Sequence, residues 1–131
     1  MIDKIRLLVV DDSAHVRRAI AEILSPHHRF VIAGEAVDGL EALAHVKALH
    51  PTTVLIDIRM PVMDGFETAA RIRDRPDAPD IVMMTEHTGE EYPRKAMSVG
   101  ACAFLWKCDL AHELIPVLHT LYSHPDQQQS A

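Results

Sequence analysis

The sequence predicts an α/β fold, a doubly wound sheet of five parallel strands alternating with five helices. Three observations lead there. Apolar runs recur at residues 5–10, 30–33, 53–57, 81–85 and 102–106, nearly unbroken in the way of parallel strands buried on both faces. Between them, apolar residues fall at helical spacing. The connections are short and rich in Pro, Gly and Asp, and strand–helix alternation of this kind winds a parallel sheet through right-handed crossovers.

The first run is interrupted only by Arg6, and Asp11, Asp12 and Ser13 follow it as candidate caps for helix one. Val16, Ala19, Ile20, Ile23 and Leu24 mark that helix's apolar face. Pro26 stops it, since the residue before a proline avoids the helical region. After strand two, Asp38 and Gly39 open helix two, which carries Leu40, Leu43, Val46 and Leu49 and is closed by Pro51. Strand three ends at Asp57, and Met60-Pro61 with Asp64-Gly65 supply turn chemistry for an exposed loop. Phe66, Ala69, Ala70 and Ile72 mark a short third helix, and residues 75–80 form a loop before strand four.

Helix four, at residues 90–99, has a thin apolar stripe of Tyr92, Ala96, Met97 and Val99 and contains Pro93, tolerable only in a first turn. Gly100 ends it. Strand five ends at Lys107, and Asp109 can cap helix five, with Leu110, Leu114, Val117, Leu118 and Leu121 on one face. Pro116 inside that helix predicts a kink or a break. One domain over residues 1–122 is expected, and residues 123–131, with a glutamine run at 127–129, read as a disordered tail or the start of a linker.

At 131 residues and 48% hydrophobic, the chain can bury a sizeable core without staples. Its net charge of -6, with basic residues scattered among acids, argues against direct nucleic-acid binding. Cys102 and Cys108 fit neither a CxxC redox pair nor a zinc ligand set and read as buried small hydrophobes. The nine histidines include no HxxxH pair, which argues against a zinc site. No apolar stretch approaches the roughly 20 residues of a membrane span, and the start does not read as a signal peptide. A reducing, cytoplasmic setting with no membrane partner is the expectation.

The chemistry lies where strands end. Right-handed crossovers put successive strand ends on one edge, so Asp11, Asp12, Asp57, Thr85 and Lys107 can meet there. Three carboxylates in one cleft repel each other, and a divalent cation removes that cost. Mg2+ takes oxygen ligands and keeps several waters, which suits Asp12 and Asp57 with a backbone carbonyl from the next loop, Asp11 acting through water. Mg2+ and Lys107 balance the three acids, leaving Asp57 a usable nucleophile for a phosphoryl group. The Thr85 hydroxyl can donate to a phosphoryl oxygen. His87, beside this pocket, reads as a surface residue or as one that tunes phosphoryl hydrolysis.

These residues resemble the response-regulator receiver domain of bacterial two-component signalling, over about residues 5–121. The resemblance is carried by Asp11-Asp12 after strand one, D-I-R-M-P-V-M-D-G from Asp57 to Gly65, Thr85, and G-A-C-A-F-L-W-K from Gly100 to Lys107. It implies the flavodoxin-like receiver fold with strand order 2-1-3-4-5. It also implies Asp57 as phosphoacceptor, Asp11 and Asp12 as metal-site acids, the Arg59 carbonyl as a further Mg2+ ligand, Lys107 as phosphoryl partner, and Thr85 with Phe104 as a switch pair. A histidine kinase or phosphotransfer protein would donate the phosphoryl group. The face of helix four, strand five and helix five would then change its affinity for an output protein or domain, with a homodimer on phosphorylation among the states allowed. G-E-A-V-D-G-L-E-A-L from Gly34 to Leu43 looks like the subgroup that usually carries a C-terminal helix-turn-helix.

Two positions depart from that family's pattern. Glu86 stands after the switch threonine, where a small residue is usual, and can crowd the donor or swing outward. Cys108 follows Lys107 where proline, often cis, is usual, so no cis bond is expected. Both keep open a second class, a receiver-like binding module that works without phosphate. A third, an aspartyl phosphatase or phosphotransferase, fits less well, because its acids are usually separated by one residue whereas Asp11 and Asp12 are adjacent. Phe104 reads either as plain core or as half of the switch, and period two sets Trp106 on its face of the sheet.

Overall fold

The computed structural model describes residues 4–86 and 91–123. In chain order the elements are β1 (Ile5–Val10), α1 (Ala14–Leu24), β2 (Phe30–Ala36), α2 (Gly39–Leu49), β3 (Thr53–Asp57), α3 (Gly65–Arg73), β4 (Asp80–Thr85), α4 (Glu91–Ser98), β5 (Ala103–Trp106) and α5 (Leu110–Leu121). The strands form one sheet in the order β2-β1-β3-β4-β5, every neighbouring pair parallel.

Alternation along each strand feeds two cores. Leu8, Val10, Val54, Ile56, Ile81 and Met83 point to one face, where Ala42, Val46, Phe66, Ala69, Ile72 and Ala96 of α2, α3 and α4 cover them. Ile5, Leu7, Val9, Leu55, Val82 and Met84 point to the other, under Ile20 and Leu24 of α1 and Leu110, Leu114 and Leu118 of α5. The helices are held unequally. α5 buries three leucines, each worth about 1.5–3 kcal/mol, whereas the one fully buried residue of α4 is Ala96. Tyr92 and Val99 only lean on the core and Met97 is 54% exposed, so α4 buries little apolar surface.

Several expectations need correction. Strand two continues past Ala33 to Ala36, because the β1–β2 register shifts between Leu7 and Leu8 and makes Ala33 the extra residue of a bulge. Leu40 is not on the buried face of α2 but 55% exposed. Steps of three residues fall about 60° short of a full turn, so Leu40 and Leu49 cannot share a face. The buried face is Gly39, Ala42 and Val46. Both cysteines are exposed rather than buried, Cys102 lying just before β5 and Cys108 in a 3-10 turn, Lys107–Asp109, that precedes α5.

Asp109 occupies the cap position of α5 but its side chain makes no cap hydrogen bond. Nor does Pro116 break that helix, which runs from Leu110 to Leu121 with the proline inside. The end of α5 is tied down by Tyr122, whose hydroxyl contacts Thr53 and donates to Asp80 Oδ2 at 2.7 Å, while Arg29 bonds its carbonyl at 2.5 Å. No helix among the described residues is long and apolar enough to cross a membrane.

Candidate functional site

The site forms at the carboxyl edge of the sheet, where β1 and β3 run side by side with Val10 opposite Ile56. Each strand delivers an acid as it ends. Asp11 follows β1, its backbone N–H bonded to the Ala36 carbonyl at 3.0 Å and its Oδ1 accepting from the Ser13 N–H at 2.9 Å. Ser13 in turn caps α1 by accepting from Val16 N. Asp57 ends β3 in register with Met84 of β4, and its Oδ1 accepts from the Arg59 N–H at 3.3 Å.

Asp11 is fully buried and Asp57 only 4% exposed, while Asp12 is exposed at the rim. One carboxylate oxygen from each of the three lies within 4.8 Å of the others. Lys107, delivered by the end of β5, puts its Nζ 2.7 Å from Asp11 Oδ2 and 3.1 Å from Asp57 Oδ2. The Lys107 ammonium is the partner that reaches the buried Asp11 Oδ2. Four of the five predicted residues are therefore together. Thr85, the fifth, is fully buried at the end of β4, in register with Trp106.

Burial pushes the Asp57 carboxyl up to about 6, with the Asp11 charge adding to the rise and Lys107 and the Arg59 N–H opposing it. Burial pulls the Lys107 ammonium down, but the Asp11 and Asp57 carboxylates more than offset this, so its pKa is raised and it stays charged. The donor set fits a hard divalent cation. It is all oxygen and it is convergent.

Glu86 is exposed. Among the described residues no peptide bond is cis, as expected with Cys108 after Lys107. Phe104 is partly buried against the core under α2, α3 and α4, and its ring meets Trp106 edge-on with centroids 4.8 Å apart. His87 lies outside the described residues, as does the stretch 124–131.

Two residues shape the loop after Asp57 in ways the sequence did not show. Val62 takes φ 72 in a tight turn closed by the Met63 N–H on the Pro61 carbonyl at 2.8 Å, a conformation costly for a β-branched residue. Gly65 was read as turn chemistry, but its role is close approach. A Cβ there would stand 2.3 Å from the Asp57 carbonyl oxygen and 2.7 Å from Ile58 Cα, both backbone atoms that cannot swing aside. Gly65→Ala is accordingly expected to cost about 3 kcal/mol, at the upper end of overpacking, read as a lowered urea midpoint.

Three acids and one lysine gathered at the carboxyl edge of a doubly wound five-stranded sheet define the frame of a signalling receiver module. The chain belongs to the response regulator receiver domain family, whose model matches residues 7–119. Among curated proteins it is 45% identical, over 79% of its own length, to a protein-glutamate methylesterase/protein-glutamine glutaminase of Geobacillus kaustophilus, and it spans 30% of that relative. Among solved structures it resembles the signal receiver domain of the response regulator NarL from Mycobacterium tuberculosis (TM-score 0.84, 31% identity, covering 91% of this chain and 96% of that one). It is also similar to the response regulator domain of Thermotoga maritima CheB (TM-score 0.82, 29% identity, 89% and 95% coverage).

Proposed function

We propose that Asp57 accepts a phosphoryl group from a histidine kinase or phosphotransfer protein, and that the phosphorylated form switches a protein-binding face. The observation that carries this is the meeting of Asp57, Lys107, Asp11 and Asp12 at one edge, with Nζ 3.1 Å from the nucleophilic carboxylate. An Asp57 oxygen attacks phosphorus as the bond to the donor's imidazole nitrogen, or to the oxygen of a small acyl phosphate, breaks. The product is a mixed anhydride, and the leaving group departs with the electron pair. Lys107 holds a phosphoryl oxygen, and the Thr85 hydroxyl donates to another. Asp12, Asp57 and the Arg59 carbonyl would hold Mg2+, with Asp11 acting through water. Bound there, the ion neutralises charge on the acids and on the phosphoryl oxygens.

The switch runs from Thr85 to Phe104. As Thr85 turns toward the phosphoryl group, Phe104 fills the space it leaves, and the surface of α4, β5 and α5 changes for an output protein, a joined output domain or a second copy. The loose packing of α4 supports this reading, since a two-state element needs little holding it. Trp106, in edge contact with Phe104, reports the change by fluorescence.

The chain's chemistry is self-phosphorylation and slow hydrolysis, with no turnover of an outside metabolite. The convergence of Lys107 on Asp57 favours this reading over the phosphate-independent one, because it supplies the fixed positive donor that phosphoryl transfer needs. Incubation with Mg2+ and a small acyl phosphate tests it. The expected result is a gain of one phosphoryl mass on the intact chain, lost on adding EDTA beforehand and absent from Asp57→Asn. No gain in the wild type would favour the phosphate-independent module.

A further inference from the structure

The peptide between Asp11 and Asp12 is held from outside the acidic cluster. Arg17, on the second turn of α1, donates from Nη1 to the Asp11 carbonyl oxygen at 2.7 Å and from Nε to Glu35 Oε1, also at 2.7 Å. Its side chain is 17% exposed, and its backbone N–H bonds the Ser13 carbonyl at 3.1 Å. Glu35 belongs to β2 and lies in register with Val9 of β1. One planar cation thus ties α1, the end of β1 and β2 together. The carbonyl it grips matters because a peptide unit is flat. Fixing the Asp11 oxygen fixes the plane from which the Asp12 backbone departs, and Asp12 itself is exposed at the rim.

We infer that Arg17 is a positioning residue for the metal site, holding the Asp11–Asp12 peptide so that the Asp12 carboxylate stays within reach of Asp57. The inference rests on the reading of the acidic cluster as a Mg2+ site. Its sign distinguishes it from simple electrostatics. A positive charge beside three acids repels an incoming cation, so by Coulomb's law alone removing Arg17 would tighten Mg2+ binding. A positioning role requires the reverse. Lysine carries the same charge but lacks the planar fork that reaches two acceptors at once.

The test is Mg2+ titration of this chain by calorimetry, with Trp106 fluorescence as a second readout and the metal-free urea midpoint as the measure of folding. Arg17→Ala is expected to raise the Mg2+ dissociation constant about tenfold, the low end of what outer-shell partners cost. Arg17→Lys should fall between Ala and wild type, and Glu35→Gln should shift affinity the same way by less. Arg18→Ala, at an exposed position on the same helix, should bind as the wild type does. If Arg17→Ala does not fold, Arg17→Lys and Glu35→Gln carry the test. Unchanged or tighter Mg2+ binding in the folded variants overturns the inference. A wild type that binds no Mg2+ overturns instead the reading of the acidic cluster, and the inference with it.

Discussion

Lys107→Met is expected to lower the rate of phosphoryl uptake by about a hundredfold while tightening Mg2+ binding. The two effects have opposite signs because Lys107 does two things. Toward the phosphoryl group it is a fixed positive donor, and loss of one such donor typically costs about a hundred- to a thousandfold. Toward the ion it is a competitor, its ammonium lying 2.7 Å from Asp11 Oδ2 and 3.1 Å from Asp57 Oδ2 in the cleft the ion would enter. The metal-free variant should also lose about 2–3 kcal/mol of stability near neutral pH, somewhat less than for a wholly buried pair, since the cleft is open to water at the Asp12 rim. Mg2+ should restore most of that loss. Calorimetric titration and the rate of mass gain with an acyl phosphate measure the two signs on one protein.

Asp57→Asn is expected to gain stability over the wild type as pH rises, when Mg2+ is absent. The folded protein holds the Asp57 carboxyl at about 6, against 3.8 for a free side chain, chiefly through burial. Between those two values the folded state binds more protons than the unfolded one, so stability falls with rising pH across the window. The loss is complete above about pH 6 and amounts to about 3 kcal/mol. Asparagine has no charge to bury and escapes it. Urea unfolding of both proteins at about pH 4 and pH 7 should therefore show their difference in stability growing by most of that amount. Mg2+ should abolish most of the growth, because the ion stabilises the carboxylate form.

Much of this was legible in the sequence because the informative residues stop apolar runs. Asp57 ends Val54-Leu55-Ile56, and Lys107 ends Phe104-Leu105-Trp106; a charge that closes a buried strand is visible without coordinates. The strand order is less so. Periodicity gives alternation, and the order 2-1-3-4-5 came with the family resemblance. Helix two shows why pattern alone misleads, since Leu40 continues a run of threes that drifts off the buried face. Strand two ran past its expected end because a bulge is a property of two strands, and only the pairing with Leu7 and Leu8 shows it. Arg17 and Glu35 stand 18 residues apart with nothing local to join them. Gly65 carried a signal, but one that said turn rather than the close passage of the Asp57 backbone.

Asp57, and no other residue, is expected to take the phosphoryl group. This is tested most directly by treating the chain with Mg2+ and an acyl phosphate, reducing the product with borohydride, and sequencing the peptides. Reduction converts an aspartyl phosphate to homoserine. Homoserine is expected at position 57 alone, and none when Mg2+ is withheld. Homoserine at position 11 or 12, or an unmodified Asp57 after full exposure to the donor, would contradict this.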